Sequence, residues 1–96
     1  MTVVLTLEQA VHDLGYKSVN DYAKAKLQEE FRLEIVQKKS EISAFEQKYK
    51  MGFKEFKRVF FELDQFGLFE KEDDSMDWEF AIEVVKLYEE KLSALS

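Results

Sequence analysis

Apolar residues recur at three- and four-residue steps along most of the chain, and the two-residue step of a strand is confined to its start. From Val19 to Tyr49 the helical signal is unbroken, with Leu27, Phe31, Ile35, Ile42, Phe45 and Tyr49 on one face and Glu34/Lys38 and Glu46/Lys50 as i,i+4 pairs. The spacing predicts one amphipathic helix of roughly 46 Å at 1.5 Å per residue. A compact globule of this chain length has a radius of gyration near ~12 Å, so an elongated particle is expected.

Upstream, Thr6 predicts an N-cap, Leu7, Ala10, Val11 and Leu14 follow at helical spacing, and Gly15 ends a short helix. Ser18, with Asp21 three residues on, caps the long helix in a variant of the capping box. Residues 2–7, "TVVLTL", are short and β-branched and read as a strand or an extended lead-in. As a strand they have no partner in the chain, which predicts pairing in a dimer.

Downstream of the "KMG" turn, Phe53, Phe56, Phe60, Leu63 and Phe66 predict a Phe-rich helix running to Gly67, with Phe61 off the stripe and left for a second surface. The acidic "FEKEDDS" reads as a loop, and Ser75 or Asp77 as the cap of a last helix. There Trp78, Ala81, Ile82, Val85, Tyr88, Leu92 and Leu95 keep heptad spacing, and Phe80, Val84 and Leu87 widen the apolar face. The fold class is therefore all-α, a single helical domain over 1–96. Residues 1–30 form a candidate dimerisation or DNA-binding segment, and 31–96 a helical hairpin with an acidic partner-binding region.

Composition sharpens this picture. Proline is absent and glycine occurs only at 15, 52 and 67, which look like the joints. The lack of cysteine excludes disulfides, thiolate zinc sites and a cysteine nucleophile. No apolar run approaches the ~18 residues of a membrane span, and the start lacks a basic leader, so a cytoplasmic protein without membrane contact is expected. Residues 1–58 hold eleven Lys and Arg against nine Asp and Glu, whereas 59–96 hold three against eleven.

Candidate chemistry is sparse. His12, the only histidine, has no converging ligands for a metal and no nucleophile to serve. A calcium loop begun at Glu72 would put Glu83 at its twelfth position, but Asp77 stands where that loop needs glycine. Acting as an acid–base pair would require a desolvated carboxylate, and this stretch is mostly polar. No catalytic, cofactor or metal site is expected, and the chain does not read as an enzyme. Lys17, Lys24 and Lys26 are candidate DNA contacts. A second basic cluster runs through Lys48, Lys50, Lys54, Lys57 and Arg58. Glu70, Glu72, Asp73, Asp74 and Asp77, with Trp78 and Phe61, form a candidate protein-binding surface. Nine Phe, four Tyr and one Trp exceed what so small a domain readily hides, which points to an aromatic surface meeting a partner.

Two stretches, "FEQKYKMGFKEFKRVF" and "EDDSMDWEFAIEVVKLYEEKL", resemble the small helical antitoxin-like proteins of bacterial and archaeal toxin-antitoxin pairs. In those proteins a long helix ends in a Phe-x-x-Lys-Tyr-Gly-Met turn, a Phe-bearing helix follows, and an Asp-x-x-x-Trp-Glu segment opens the last helix. Here Phe45, Lys48, Tyr49 and Met51 match the turn, Phe53 and Phe56 the short helix, and Asp74, Trp78 and Glu79 the opening. Lys50 stands where the family has glycine, so a reshaped turn is expected. The resemblance covers about residues 42–92 and implies a non-catalytic protein that occludes a toxin acting on nucleic acid, encoded by a neighbouring gene. A homodimer or a hetero-complex would be the stable form.

On that reading the acidic segment meets the toxin's basic groove, with Trp78 in the contact; a core Trp78 beside a solvated loop is the competing reading. The first thirty residues resemble a ribbon-helix-helix unit, with "TVVLTL" as its DNA-reading strand. That resemblance implies a dimeric DNA-binding autoregulator. A helical scaffold or assembly protein is the third alternative.

Overall fold

A computed structural model describes residues 6–96, and no strand occurs among the described residues. Helix α1 spans Leu7–Asp13, α2 Val19–Tyr49, α3 Phe53–Arg58 and α4 Leu68–Leu95; a 3-10 turn at Phe60–Glu62 links the last two. Most of the proposed N-terminal strand lies outside the described residues. Of its last two positions, Thr6 is the extended N-cap of α1 and Leu7 is the first residue of the helix.

The boundaries have local causes. Thr6 Oγ1 accepts the Gln9 N–H at 3.1 Å while the Thr6 N–H donates to Gln9 Oε1 at 3.2 Å, a reciprocal capping box. At the other end of α1, Gly15 takes φ +96°. The Gly15 N–H donates to His12 O at 2.9 Å and the Tyr16 N–H to Val11 O at 3.0 Å, which is the Schellman pattern. Ser18 Oγ then accepts the Asp21 N–H at 3.1 Å, and α2 runs 31 residues without a break.

Lys50 ends α2 in the left-handed conformation, φ 61°. The expected Glu46–Lys50 pair is not formed, because Lys50 has left the helix. Lys38 by contrast lies 3.9 Å from Glu34 and 3.2 Å from Glu41. A non-glycine residue is strained at this φ. Lys50→Gly is therefore expected to raise stability by about 0.5–1 kcal/mol, net of the greater freedom glycine gives the unfolded chain. Urea unfolding of the two proteins checks this, and a variant no more stable than the parent would refute the strain.

Helix α4 folds back antiparallel along α2. Phe45 stacks on Trp78 at 5.5 Å and Phe31 on Tyr88 at 5.3 Å. Gln28 Nε2 donates to Leu95 O at 3.4 Å near the far end, and Lys39 pairs with Glu89 at 3.2 Å. The main core sits at the opposite end of the hairpin, where Tyr49, Phe56, Leu63 and Trp78 are buried. The whole predicted Phe stripe joins this cluster: Phe53, Phe60 and Phe66 pack around the buried Phe56 and Leu63.

The stripe does not lie on one helix, however. Helix α3 stops at Arg58 and the chain turns through Val59 into the 3-10 segment. A straight helix would spread these rings along a line; the turn instead brings Phe60 back to 5.6 Å from Phe56 and Phe66 to 4.6 Å from Tyr49, while Phe53 and Phe56 of α3 lie 5.2 and 5.1 Å from Trp78. Phe61, off the stripe, is 82% exposed. The particle is elongated as expected, with a radius of gyration of 20.7 Å and extents of 70 × 30 × 16 Å.

Candidate functional site

The acidic run is not a loop, and neither Ser75 nor Asp77 is a cap. Helix α4 starts at Leu68 with Gly67 as N-cap, and the Gly67 N–H donates to Glu70 Oε1 at 3.4 Å. Glu70 then lies in the first turn, where the helix dipole favours negative charge. Three inward-facing positions of these first turns are polar, and each has a specific partner. Buried Lys71 donates to Phe60 O at 2.7 Å and Leu63 O at 3.1 Å, satisfying carbonyls of the 3-10 turn, and its ammonium lies 4.9 Å from the Phe60 ring. Asp74 Oδ2 accepts from Tyr49 Oη and Lys48 Nζ, both at 2.6 Å. Ser75 Oγ accepts from Lys57 Nζ at 3.3 Å.

Lys48 thus joins α2 to α4 through two carboxylates, Asp74 and, at 2.7 Å, Glu70. These hydrogen bonds raise the Lys48 pKa well above its ordinary value. Burial, reinforced by the Asp74 carboxylate, pushes the Tyr49 hydroxyl up as well. The hydrogen bond from Lys48 holds Glu70 below its ordinary value.

The signs set a stability window. The raised Lys48 and Tyr49 contribute fully below their unfolded values of 10.5 and 10.0 and lose that contribution as pH rises through the folded ones. The lowered Glu70 contributes above 4.5 and loses its share as pH falls through its folded value. Thermal melts across pH should show a plateau between these limits. Tyr49→Phe, which keeps the ring, is expected to cost about 1.5 kcal/mol and to flatten the alkaline limb. An unchanged alkaline limb would sink the Tyr49 assignment.

The seven residues expected at a partner surface divide sharply. Trp78 is fully buried, so it belongs to the core and presents nothing to a partner in the folded protein. Glu70 and half-buried Asp74 are engaged by Lys48. Glu72, Asp73, Asp77 and Phe61 are exposed. Sequence periodicity missed what accompanies them. Phe69, Met76, Phe80 and Leu87 are exposed at 78%, 70%, 58% and 47%, on the side of α4 turned away from Trp78. Phe80 and Leu87 therefore stay outside the core, Phe80 at the edge of the hairpin with the Lys38 ammonium of α2 5.5 Å from its ring. The missed signal was the seven-, four- and seven-residue spacing of these apolar positions, out of phase with the inward set.

The basic candidates are not gathered into one surface. Lys24 and Lys26 stand two residues apart on α2, a spacing that does not share a helix face. Lys26 pairs with Glu29 at 3.4 Å, and Lys17 lies in the turn before α2. In the second cluster Lys48 is held by Glu70 and Asp74, Lys57 by Ser75, and Arg58 by Glu55. No group of three His, Asp or Glu side chains is placed to hold a metal among the described residues, and no helix there is long and apolar enough to cross a membrane.

Comparison of the chain with protein-family models, curated proteins and solved structures finds no match in any of the three. On the outward face of α4, the exposed carboxylates Glu72, Asp73 and Asp77 stand beside the exposed apolar side chains Phe69, Met76 and Phe80.

Proposed function

We propose that the chain is a small non-catalytic binding protein that occludes a toxin acting on nucleic acid, in the manner of the antitoxin-like proteins it resembles. The observation that carries this reading is the outward face of α4, where Glu72, Asp73 and Asp77 lie beside exposed Phe61, Phe69 and Met76. Solvated helix faces are polar, and an apolar set of this size among acids is better explained by a partner. A groove that binds nucleic acid is basic, so an acidic, apolar-anchored face is complementary to it. The partner is expected to be the product of a neighbouring reading frame.

Co-expression tests the proposal. If the neighbouring product is a toxin, the chain should restore the growth that this product arrests and should co-purify with it as a stoichiometric complex. A neighbour that neither binds nor arrests growth would end this reading. The elongated shape would then favour a second one, a helical scaffold that offers the same face to an assembly partner.

A further inference from the structure

Phe69, Met76, Phe80 and Leu87 fall within about 40° of one another on a helical wheel at 3.6 residues per turn. They form a seam roughly 27 Å long at 1.5 Å per residue. Asp73 and Glu83 occupy the remaining heptad positions of that seam. Glu72 and Glu79 border it on one flank and Asp77 on the other, all exposed. Glu72, Asp73, Asp77, Glu79 and Glu83 make no ion pair among the described residues. Beside the seam, Lys57, Phe60, Phe61, Glu72, Ser75 and Met76 line a cleft of about 410 Å³, with Lys57 already bonded to Ser75.

We infer that this seam is a docking track for a basic amphipathic helix, whose apolar residues lie along Phe69, Met76, Phe80 and Leu87 and whose flanking Lys or Arg residues meet the unpaired carboxylates. The inference rests on the proposed binding function and names the partner's chemistry. Charge complementarity selects the occupant. A second copy would bring Asp73 and Glu83, with the flanking acids, against their own kind, and like charges across a helix seam disfavour self-pairing. An acidic partner meets the same repulsion. A basic helix at least five turns long relieves all five carboxylates while covering the four apolar side chains. The cleft beside Phe61 would take one bulky apolar anchor from the same helix.

The test uses two labelled heptad peptides with leucine at the seam positions, one flanked by lysine and one by glutamate, titrated against the full chain at low and high salt. The lysine peptide should bind more tightly by about tenfold or more and lose affinity with salt. Met76→Ser with Phe80→Ser, and separately Asp73→Lys with Asp77→Lys, should each weaken it by about tenfold. Melting temperatures should hold near the parent's, since all four positions are exposed. Equal binding of the two peptides, or no binding of the lysine peptide at low salt, would overturn the inference. So would a dimer of the free chain that Met76→Ser/Phe80→Ser dissociates, because a second copy would then own the seam. If the neighbouring product binds the serine variant as well as it binds the parent, the inference fails while the proposed function stands. If that product does not bind but the lysine peptide does, the reverse holds.

Discussion

Trp78→Ala is expected to destabilise the free protein by about 3–5 kcal/mol. A domain of this size has roughly 5–14 kcal/mol in total, so the variant should be substantially unfolded at moderate temperature. The indole is fully buried and touches Phe45, Tyr49, Phe53 and Phe56 with ring centroids between 5.1 and 6.0 Å. Those rings come from α2 and α3, so removing the indole from α4 opens a cavity where all three helices meet. Chemical denaturation of the free protein gives the number. A loss below about 1 kcal/mol would mean that the site collapses and that Trp78 is not the hub of the core.

The second large effect is expected at Lys71. Lys71→Ala removes the ammonium that satisfies the Phe60 and Leu63 carbonyls and the stem that packs beside the Phe60 ring. The cost should be about 2–3 kcal/mol, from unsatisfied carbonyls and lost packing. Lys71→Met separates the two causes. Methionine restores much of the volume without the donor, so recovery of half or more of the loss would identify packing as the larger part. Faster amide exchange confined to residues 59–66 should accompany both variants, because the lysine closes this turn. Uniform exchange changes across α2 and α4 would instead show that Lys71 acts on the whole hairpin.

These two residues also explain what was legible in the sequence. Helix α2 was predicted with its observed ends, because Ser18 marks its start, the apolar face runs unbroken, and the Tyr49–Gly52 turn marks its stop. The antiparallel return of α4 and the inward set from Trp78 to Leu95 followed from the same periodicity. The first two turns of α4 were hidden, since at positions 71, 74 and 75 the inward residues are Lys, Asp and Ser. A periodicity that counts only apolar residues loses a helix whose inner face is polar, and each of these side chains is stable inside only through a partner from another element. Nothing in the sequence pairs Lys48 with Asp74, or Lys71 with the Phe60 carbonyl, because those contacts exist only after the hairpin closes. The break between Arg58 and Phe60 was hidden for a similar reason: helical spacing continues through it, and the return of Phe60 onto Phe56 and of Phe66 onto Tyr49 exists only in the folded chain.

The site was legible in charge but not in shape. Glu72, Asp73, Asp77 and Phe61 were placed outward by simple rules, and the structure exposes all four. Trp78, the residue most suggestive of an anchor, is spent on the core, and the apolar component of the surface falls instead to Phe69, Met76, Phe80 and Leu87. Because Glu70 and Asp74 hold Lys48 within the fold, reversing their charge would confound binding with stability. Glu72, Asp73 and Asp77 are free of that role.

The most direct measurement is therefore the affinity of the Glu72→Lys/Asp73→Lys/Asp77→Lys variant for the neighbouring gene product, taken beside its melting temperature. The account predicts affinity weakened by at least about tenfold, mainly through slower association, with the fold retained, since exposed charge changes each shift stability by only about half a kcal/mol. Unchanged affinity in a folded variant would contradict it and leave the acidic face as a solvated surface.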